Sequence, residues 1–380
     1  MAKHISLLIK PASSQCNLRC RYCFYADVAA NRTLKNYGVM LQDTAQKLIR
    51  AALEEAGRGG AVSFAFQGGE PTLAGIGFYR AFVEYARGLS GGSASVSYSI
   101  QTNGMMIDDE WAAFFYEHRF LVGLSVDGGL DTHDKNRVDA AGRGTWKRAV
   151  KAFRCLQAHG VETNLLCVVS RAVARSPLGV YNALKKLGAR YLQFIPCLDP
   201  LEAERGSLPY SLLPKDYAAF LCALFDAWYA DWKAGRYVSI RLFDDYVHLM
   251  MGLPAGTCAT NGRCGPCFVC EGDGGLYPCD FYVLDEWLLG HVDEGEPLAR
   301  IASCERERTF LEQSAQKPAA CADCRWQRLC NGGCKRDRHM ADGEMQNYYC
   351  PAFRAVFAHA AGRLSQIAAA ERAALRDGPF

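Results

Sequence analysis

Ser6-Leu-Leu-Ile-Lys-Pro-Ala-Ser-Ser-Gln-Cys16-Asn-Leu-Arg-Cys20-Arg-Tyr-Cys23 sets a short β-prone run directly before three cysteines gathered within eight residues. Thiolates are the usual ligands of iron-sulfur clusters, and a four-iron cubane normally takes four of them. This loop offers Cys16, Cys20 and Cys23 and no nearby fourth, so one iron would stay open, which is a feature of catalysis and not of simple electron storage. A structural zinc site prefers four tightly grouped ligands in paired Cys-x-x-Cys knuckles, and the absent fourth counts against it.

Outward from this loop, between residue 6 and about residue 241, β-rich runs alternate with segments of helical period, the pattern of repeated βα units around a parallel sheet. Strands are expected at 6–9, 62–66, 95–101, 121–126, 163–169 and 191–195, and helices at 41–55, 76–87, 108–117, 145–159 and 177–187. Six such units give an α/β fold, a partial or complete βα barrel, with chemistry at the C-terminal ends of the strands. A long amphipathic helix is expected at 215–234, after which the pattern turns Gly-rich and Cys-rich near Gly252. The chain therefore divides into residues 1–240 and residues 241–380. Residues 268–279 read as a hairpin turning on Gly272, Asp273, Gly274 and Gly275, and 351–375 as a closing Ala-rich helix.

Three strand ends carry polar motifs. Phe66-Gln67-Gly68-Gly69-Glu70-Pro71 places two glycines where the backbone can approach a ligand, although the same residues make an ordinary βα turn. Gln101-Thr-Asn-Gly104 and Ser125-Val-Asp-Gly128 read equally well as polar turns. Farther on, Cys321-x2-Cys324-x5-Cys330-x3-Cys334 has metal-type spacing, for which zinc stays open on spacing alone.

Composition narrows the field. With 380 residues, half of them hydrophobic, the chain can bury one large core and a smaller appended module. Its net charge of +3 comes from 43 basic and 40 acidic residues without like-charge blocks, so neither a nucleic-acid nor an anionic-membrane partner is expected. Residues 1–10 hold too short an apolar run for a secretory segment, and no stretch approaches about 18 uninterrupted apolar residues, so a cytoplasmic location is expected. In a reducing compartment 18 cysteines cannot mainly be disulfides, which makes ligation the leading use. Cys155, Cys167, Cys197 and Cys222 fall in helix or strand patterns and are expected as small buried hydrophobes.

The Cys-x3-Cys-x2-Cys loop with Tyr22, Phe24 and Tyr25 resembles the signature of the radical S-adenosylmethionine superfamily, and the distal cysteines resemble its SPASM domain. Ser6–Ser14, Phe64–Gly75, Leu192–Pro200, Tyr277–Asp285 and Asn347–Cys350 look like the anaerobic sulfatase-maturating enzymes. That resemblance implies a partial (β/α)6 barrel with a C-terminal Cys-rich SPASM extension. It also implies an oxidoreductase that converts a Cys, or a Ser, of a sulfatase precursor polypeptide into Cα-formylglycine. A 5'-deoxyadenosyl radical would take hydrogen from Cβ, and the resulting thioaldehyde would hydrolyse.

Implied cofactors are S-adenosyl-L-methionine and three 4Fe-4S clusters, with an electron donor such as flavodoxin or ferredoxin as a further partner. Cys16, Cys20 and Cys23 would hold the first cluster, Cys258, Cys264, Cys279 and Cys334 the second, and Cys321, Cys324, Cys330 and Cys350 the third. Cys267, Cys270 and Cys304 lie outside this assignment, and a ligand among them would change the second set. The same resemblance points to Tyr22, Gly68, Gly69, Glu70, Ser125, Arg137 and Leu198 for the cofactor, to Tyr25 and Gln67 for the substrate peptide, and to Asp280 as the base. A carboxylate of ordinary pKa near ~4 is a weak base toward a thiol near ~8.5, so burial or a nearby cluster has to assist it. Other SPASM peptide modifiers, for example thioether-forming ones, would share the clusters, and a non-catalytic metal-binding module would share only the cysteines.

Overall fold

Six runs with strand periodicity form the parallel strands β1 (His4–Ile9), β2 (Ala61–Phe66), β3 (Ser95–Thr102), β4 (Leu121–Ser125), β5 (Thr163–Val169) and β6 (Tyr191–Pro196) of a computed structural model that describes residues 3–377. Residues 1–2 and 378–380, the outer ends of the two expected domains, lie outside the described residues. Each strand pairs in parallel with the next, and β6 pairs with a two-residue strand, β7 (Ser239–Ile240). The free edge of β1 is taken by β8 (Phe268–Cys270), also parallel, followed by the antiparallel strands β9 (Gly275–Tyr277) and β10 (Gly290–His291). The resulting order, β10-β9-β8-β1-β2-β3-β4-β5-β6-β7, is an open sheet: the described strands do not close the barrel.

The helices cover this sheet because their apolar residues recur at helical spacing. In Gln42–Ala56 the buried set is Ala45, Leu48, Ile49, Ala52, Leu53 and Ala56, a single stripe facing β1 and β2. Strand β2 alternates, so that Val62, Phe64 and Phe66 point to one face, where Phe64 and Phe66 meet Phe82 edge-on at 5.0 and 5.1 Å. A second apolar cluster lies beneath β4 to β6 and is shared by Pro214–Lys233 and the long helix Cys350–Asp377. The last helix contributes Val356, Phe357, Ala360 and Leu364, all fully buried, so the C-terminal region is packed onto the barrel side of the molecule. Burial of each such Val, Leu or Phe is worth about 1.5–3 kcal/mol.

Expected helices match Gln42–Ala56, Ile76–Ser90, Asp109–Glu117, Trp146–Ala158, Pro177–Lys186 and Pro214–Lys233 to within a few residues. The hairpin is β8–β9, with Val269 opposite Tyr277. Its parallel pairing with β1 is new to the structure. Helices Phe24–Ala30, Arg241–Met251 and Glu305–Ala315 and the hairpin Arg338–Ala341/Glu344–Asn347 had no counterpart in the sequence reading. Cys167 and Cys197 are buried as expected, but Cys155 and Cys222 are only half-buried, because each sits near the rim of its helix's buried stripe. None of the described helices is long and apolar enough to cross a membrane.

Glu307 is buried in Glu305–Ala315, and its Oε2 has no hydrogen-bond partner in the protein. Burial pushes its carboxyl up from 4.5 to about 7. Between those values the folded chain holds a proton that the unfolded chain has lost, so this group lowers stability as pH rises through the window. Glu307→Gln is expected to raise the apparent melting temperature at pH 8, by a stability gain on the order of 2 kcal/mol, and to leave it nearly unchanged below pH 4.5, where the group is protonated in both states. Equal melting of the two proteins at pH 8 would refute this.

Candidate functional site

The C-terminal ends of the parallel strands gather the motif residues. The cysteine loop leaves β1 and lies against the turn after β2. Gly69 N–H donates to the Ser13 carbonyl at 2.8 Å, and Glu70 N–H to that of Gln15 at 2.7 Å. A Cβ on Gly69 would stand 2.0 Å from the Gln15 oxygen, so only glycine lets the loop and the turn approach this closely. The first contact of the paired glycines is thus the cysteine loop itself. Gly69→Ala is expected to cost about 3 kcal/mol or more and to lower iron by about four atoms per chain, read by metal analysis and melting under anaerobic conditions.

Glu70 is buried and accepts four hydrogen bonds: from Thr72 N–H, the Thr72 hydroxyl and the Thr102 hydroxyl on Oε1, and from Asn103 N–H on Oε2. It therefore fastens the ends of β2 and β3 together. Asn103 in turn points its amide at the Cys16 sulfur, 3.8 Å away. Burial pushes the Cys16 thiol up to about 12 and the Cys20 thiol to about 11. Such thiols stay protonated near pH 7 on their own and are not free nucleophiles; a metal centre would have to displace their protons on binding.

At the end of β4 the fully buried Asp127 collects Tyr22 and Arg137. The Tyr22 hydroxyl donates to Oδ2, Arg137 Nε donates to the same oxygen at 3.1 Å, and Val168 N–H donates to Oδ1 at 2.9 Å. The Arg137 guanidinium lies 5.5 Å from the Tyr22 ring centre and reaches the Cys20 thiol. Arg137 is buried, although its place in Asn136-Arg137-Val138 has the composition of a surface turn. Ser125 is buried beside this group, and Leu198 is half-buried just beyond β6.

A second constellation forms around Lys10. Its side chain is completely buried, its ammonium pairs with Asp280 Oδ1, and it stands 3.7 Å over the Tyr25 ring. Gln67 Nε2 donates to Asp280 Oδ2 at 2.8 Å, so both oxygens of Asp280 are held. Tyr25 donates its hydroxyl to Glu271, which Arg32 engages at 2.7 Å, with both members of that ion pair fully buried. Cys23 lies within the electrostatic reach of Lys10 and Asp280. Tyr25, Gln67 and Asp280 thus meet beside the cysteine loop.

The distal cysteines fall into two neighbourhoods. Cys258, Cys264, Cys279 and Cys334 influence one another electrostatically, and so do Cys321, Cys324, Cys330 and Cys350, which line a cleft of about 930 Å3. Arg338 joins the two loops by donating to the carbonyls of Gly262, Gly333 and Ser314 at 2.9, 2.8 and 2.7 Å. Cys267 lies near Cys258 and Asp280, Cys270 is buried in β8, and the Cys304 sulfur caps Glu305–Ala315 by accepting from Glu307 N–H. At Zn–S bonds of 2.3 Å the sulfurs of a tetrahedral zinc site stand about 3.8 Å apart. Among the described residues no three cysteine sulfurs all lie within 4.8 Å of one another.

Residues 11–173 match the model of the Radical SAM superfamily. The cysteine-type anaerobic sulfatase-maturating enzyme of Clostridium novyi is 43% identical over 368 residues, covering 96% of this chain and 98% of that protein. The chain belongs to the anaerobic sulfatase-maturating enzymes. The serine-type anaerobic sulfatase-maturating enzyme of Bacteroides thetaiotaomicron is 32% identical, over 95% of this chain and 90% of its own length. The solved structure of native anSMEcpe with bound AdoMet and Cp18Cys peptide superposes with a TM-score of 0.90 at 42% identity, over 96% of this chain and 99% of that one.

For this anaerobic sulfatase-maturating enzyme, sequence reasoning missed Lys10, Arg32, Asp127 and Glu271. Each is a charged residue with no local signal of burial, and each finds its partner across the fold. A trace existed for three of them, since Asp127 lies in the Ser125–Gly128 strand-end motif, read only as a polar turn, and Lys10 and Glu271 directly follow the strands β1 and β8, at the sheet end where the other motifs lie.

Proposed function

We propose that this chain converts a cysteine of a sulfatase precursor into Cα-formylglycine, using S-adenosyl-L-methionine and three 4Fe-4S clusters. The observation that carries the reading is the meeting of the three-cysteine loop with Lys10, Tyr25, Gln67 and Asp280 at one end of the sheet. Cysteine is favoured over serine as target because the cysteine-type relatives share more of the sequence than the serine-type ones. Cys16, Cys20 and Cys23 would hold the cluster that binds S-adenosylmethionine. Tyr22, Gly68, Gly69, Glu70, Ser125, Arg137 and Leu198 would surround that cofactor, with Glu70 and Asp127 bracing the strand ends that carry them.

When bound, the cluster and its sulfonium supply the radical that removes a hydrogen from the substrate Cβ. Tyr25 and Gln67 position the peptide, and Asp280 accepts the proton of its thiol. Lys10 and Gln67 fix the two oxygens of Asp280, so the carboxylate is oriented before substrate arrives. Cys258, Cys264, Cys279 and Cys334, and Cys321, Cys324, Cys330 and Cys350, would hold two auxiliary clusters, which would take up the second electron of the oxidation; the thioaldehyde so formed would hydrolyse to formylglycine. The reading includes a cofactor-binding unit in residues 1–240, an auxiliary-cluster unit in residues 241–380, a cytoplasmic location, and a flavodoxin or ferredoxin as electron donor.

The test is anaerobic reconstitution followed by iron analysis and turnover of a sulfatase-motif peptide carrying cysteine. Iron near ~12 atoms per chain, release of 5'-deoxyadenosine and a formylglycine peptide are expected. Cleavage of the cofactor with an unchanged peptide would transfer the chain to another peptide modification. Zinc in place of iron, with no cleavage, would end the enzymatic reading.

A further inference from the structure

Away from the strand ends, the described residues bring one further group of metal-ligating atoms together: Asp109, Cys155 and His159, whose ligand atoms all lie within 4.8 Å of one another. Asp109 opens the helix Asp109–Glu117. Cys155 lies in the last turn of Trp146–Ala158, and His159 caps that helix four positions later, on the same face. The two helices are packed neighbours. Cys155 Sγ is 3.5 Å from Asp109 Oδ1, and His159 Nε2 is 3.7 Å from the same oxygen.

These separations have the size of coordination-polyhedron edges. With bonds near 2.3 Å to sulfur and 2.0–2.2 Å to nitrogen and oxygen, a tetrahedral zinc ion sets its S···O edge at about 3.6 Å and its N···O edge at about 3.4 Å. The histidine ring supplies a second, independent observation. Nδ1 lies 3.0 Å from the Cys155 carbonyl oxygen, which only accepts, so Nδ1 carries the proton. In the neutral ring Nε2 then carries a lone pair 3.7 Å from Asp109 Oδ1, and no ring proton stands between the two acceptors. A cation between them relieves that opposition, and a backbone carbonyl that fixes the tautomer is the usual support of a ligating histidine.

We propose that Asp109, Cys155 and His159 form a surface site for a divalent transition cation of the zinc class. Water completes the tetrahedron, because the Asp109 side chain is 90% exposed and that of His159 30%. One thiolate, one imidazole and one carboxylate suit zinc better than magnesium or calcium, which take oxygen ligands. The bound ion would brace the start of one helix against the end of the other.

The experiment uses the anaerobically purified, cluster-loaded protein. It is incubated with zinc chloride, freed of excess metal, and analysed for bound zinc and for zinc K-edge absorption, alongside Cys155→Ser, His159→Gln and Asp109→Asn. The expected result is one zinc per chain, with one sulfur at about 2.3 Å and nitrogen or oxygen neighbours at about 2.0–2.1 Å. Cys155→Ser and His159→Gln should each weaken zinc binding by about a hundredfold or more, since even loss of a group that only orients a ligand costs about 10–100-fold. Iron content and 5'-deoxyadenosine release should stay at the parent level in all three. Failure of the parent protein to retain zinc would overturn the proposal and leave a plain His159–Asp109 contact. So would a four-sulfur zinc shell unaffected by the substitutions, which would place the metal in the distal cysteines.

Discussion

Cys20→Ala is expected to abolish release of 5'-deoxyadenosine and to lower iron by about four atoms per chain, while the iron proposed for the distal cysteines stays. The reason is geometric and electrostatic together. Cys20 sits between Cys16 and Cys23 in a loop pinned to the turn after β2, and its thiol lies near the buried Arg137. Alanine leaves two thiols in that loop, and two ligands do not retain a cubane that needs three from the chain and one from the cofactor. The backbone contacts of Gly69 and Glu70 with the loop are untouched, so the fold should survive, and unchanged anaerobic melting is the control. Full iron with undiminished cleavage in this variant would mean that another set of cysteines holds the catalytic cluster.

Asp280→Asn should separate cofactor chemistry from peptide chemistry. Asparagine has nearly the same shape and can still accept from Gln67, but it cannot take a thiol proton. Formylglycine production is expected to fall by about 10²–10⁴-fold, the usual contribution of a positioned base, with 5'-deoxyadenosine still released. A stability loss on the order of 2 kcal/mol accompanies it, because the buried Lys10 loses its counter-charge while Asp280, 16% exposed, keeps partial access to water. Asp280→Glu should restore part of the turnover. Loss of iron in Asp280→Asn would instead identify the residue as a support for its neighbour Cys279, and unaltered peptide turnover would remove it from the chemistry.

The βα alternation was legible because each strand and helix announces itself within a dozen residues. The burial stripe of Gln42–Ala56 and the alternation of Val62, Phe64 and Phe66 are local patterns. What escaped were elements too short to show a period, such as the four-residue strands Arg338–Ala341 and Glu344–Asn347, and elements whose composition is set by the cysteine loops around them, such as Glu305–Ala315. The candidate site divides along the same line. Cys16, Cys20 and Cys23 stand out by spacing and Gly69 and Glu70 by the family resemblance, whereas Lys10 and Arg32 look like any surface cation until Asp280 and Glu271 are brought to them from 270 and 239 positions away.

By itself the sequence determined the α/β class, the place of the first cysteine loop after β1 and the presence of a distal cysteine-rich region, since periodicity and ligand spacing are properties of neighbouring residues; the division of that region into two sets came from the family resemblance. Tertiary structure alone decided that the sheet stays open with β8 against β1, that Arg137 and Lys10 are buried, and that Cys155 reaches the surface beside Asp109 and His159. These outcomes rest on contacts between distant segments. A charge is buried only when its counter-charge arrives from elsewhere in the fold, and no local pattern records that arrival.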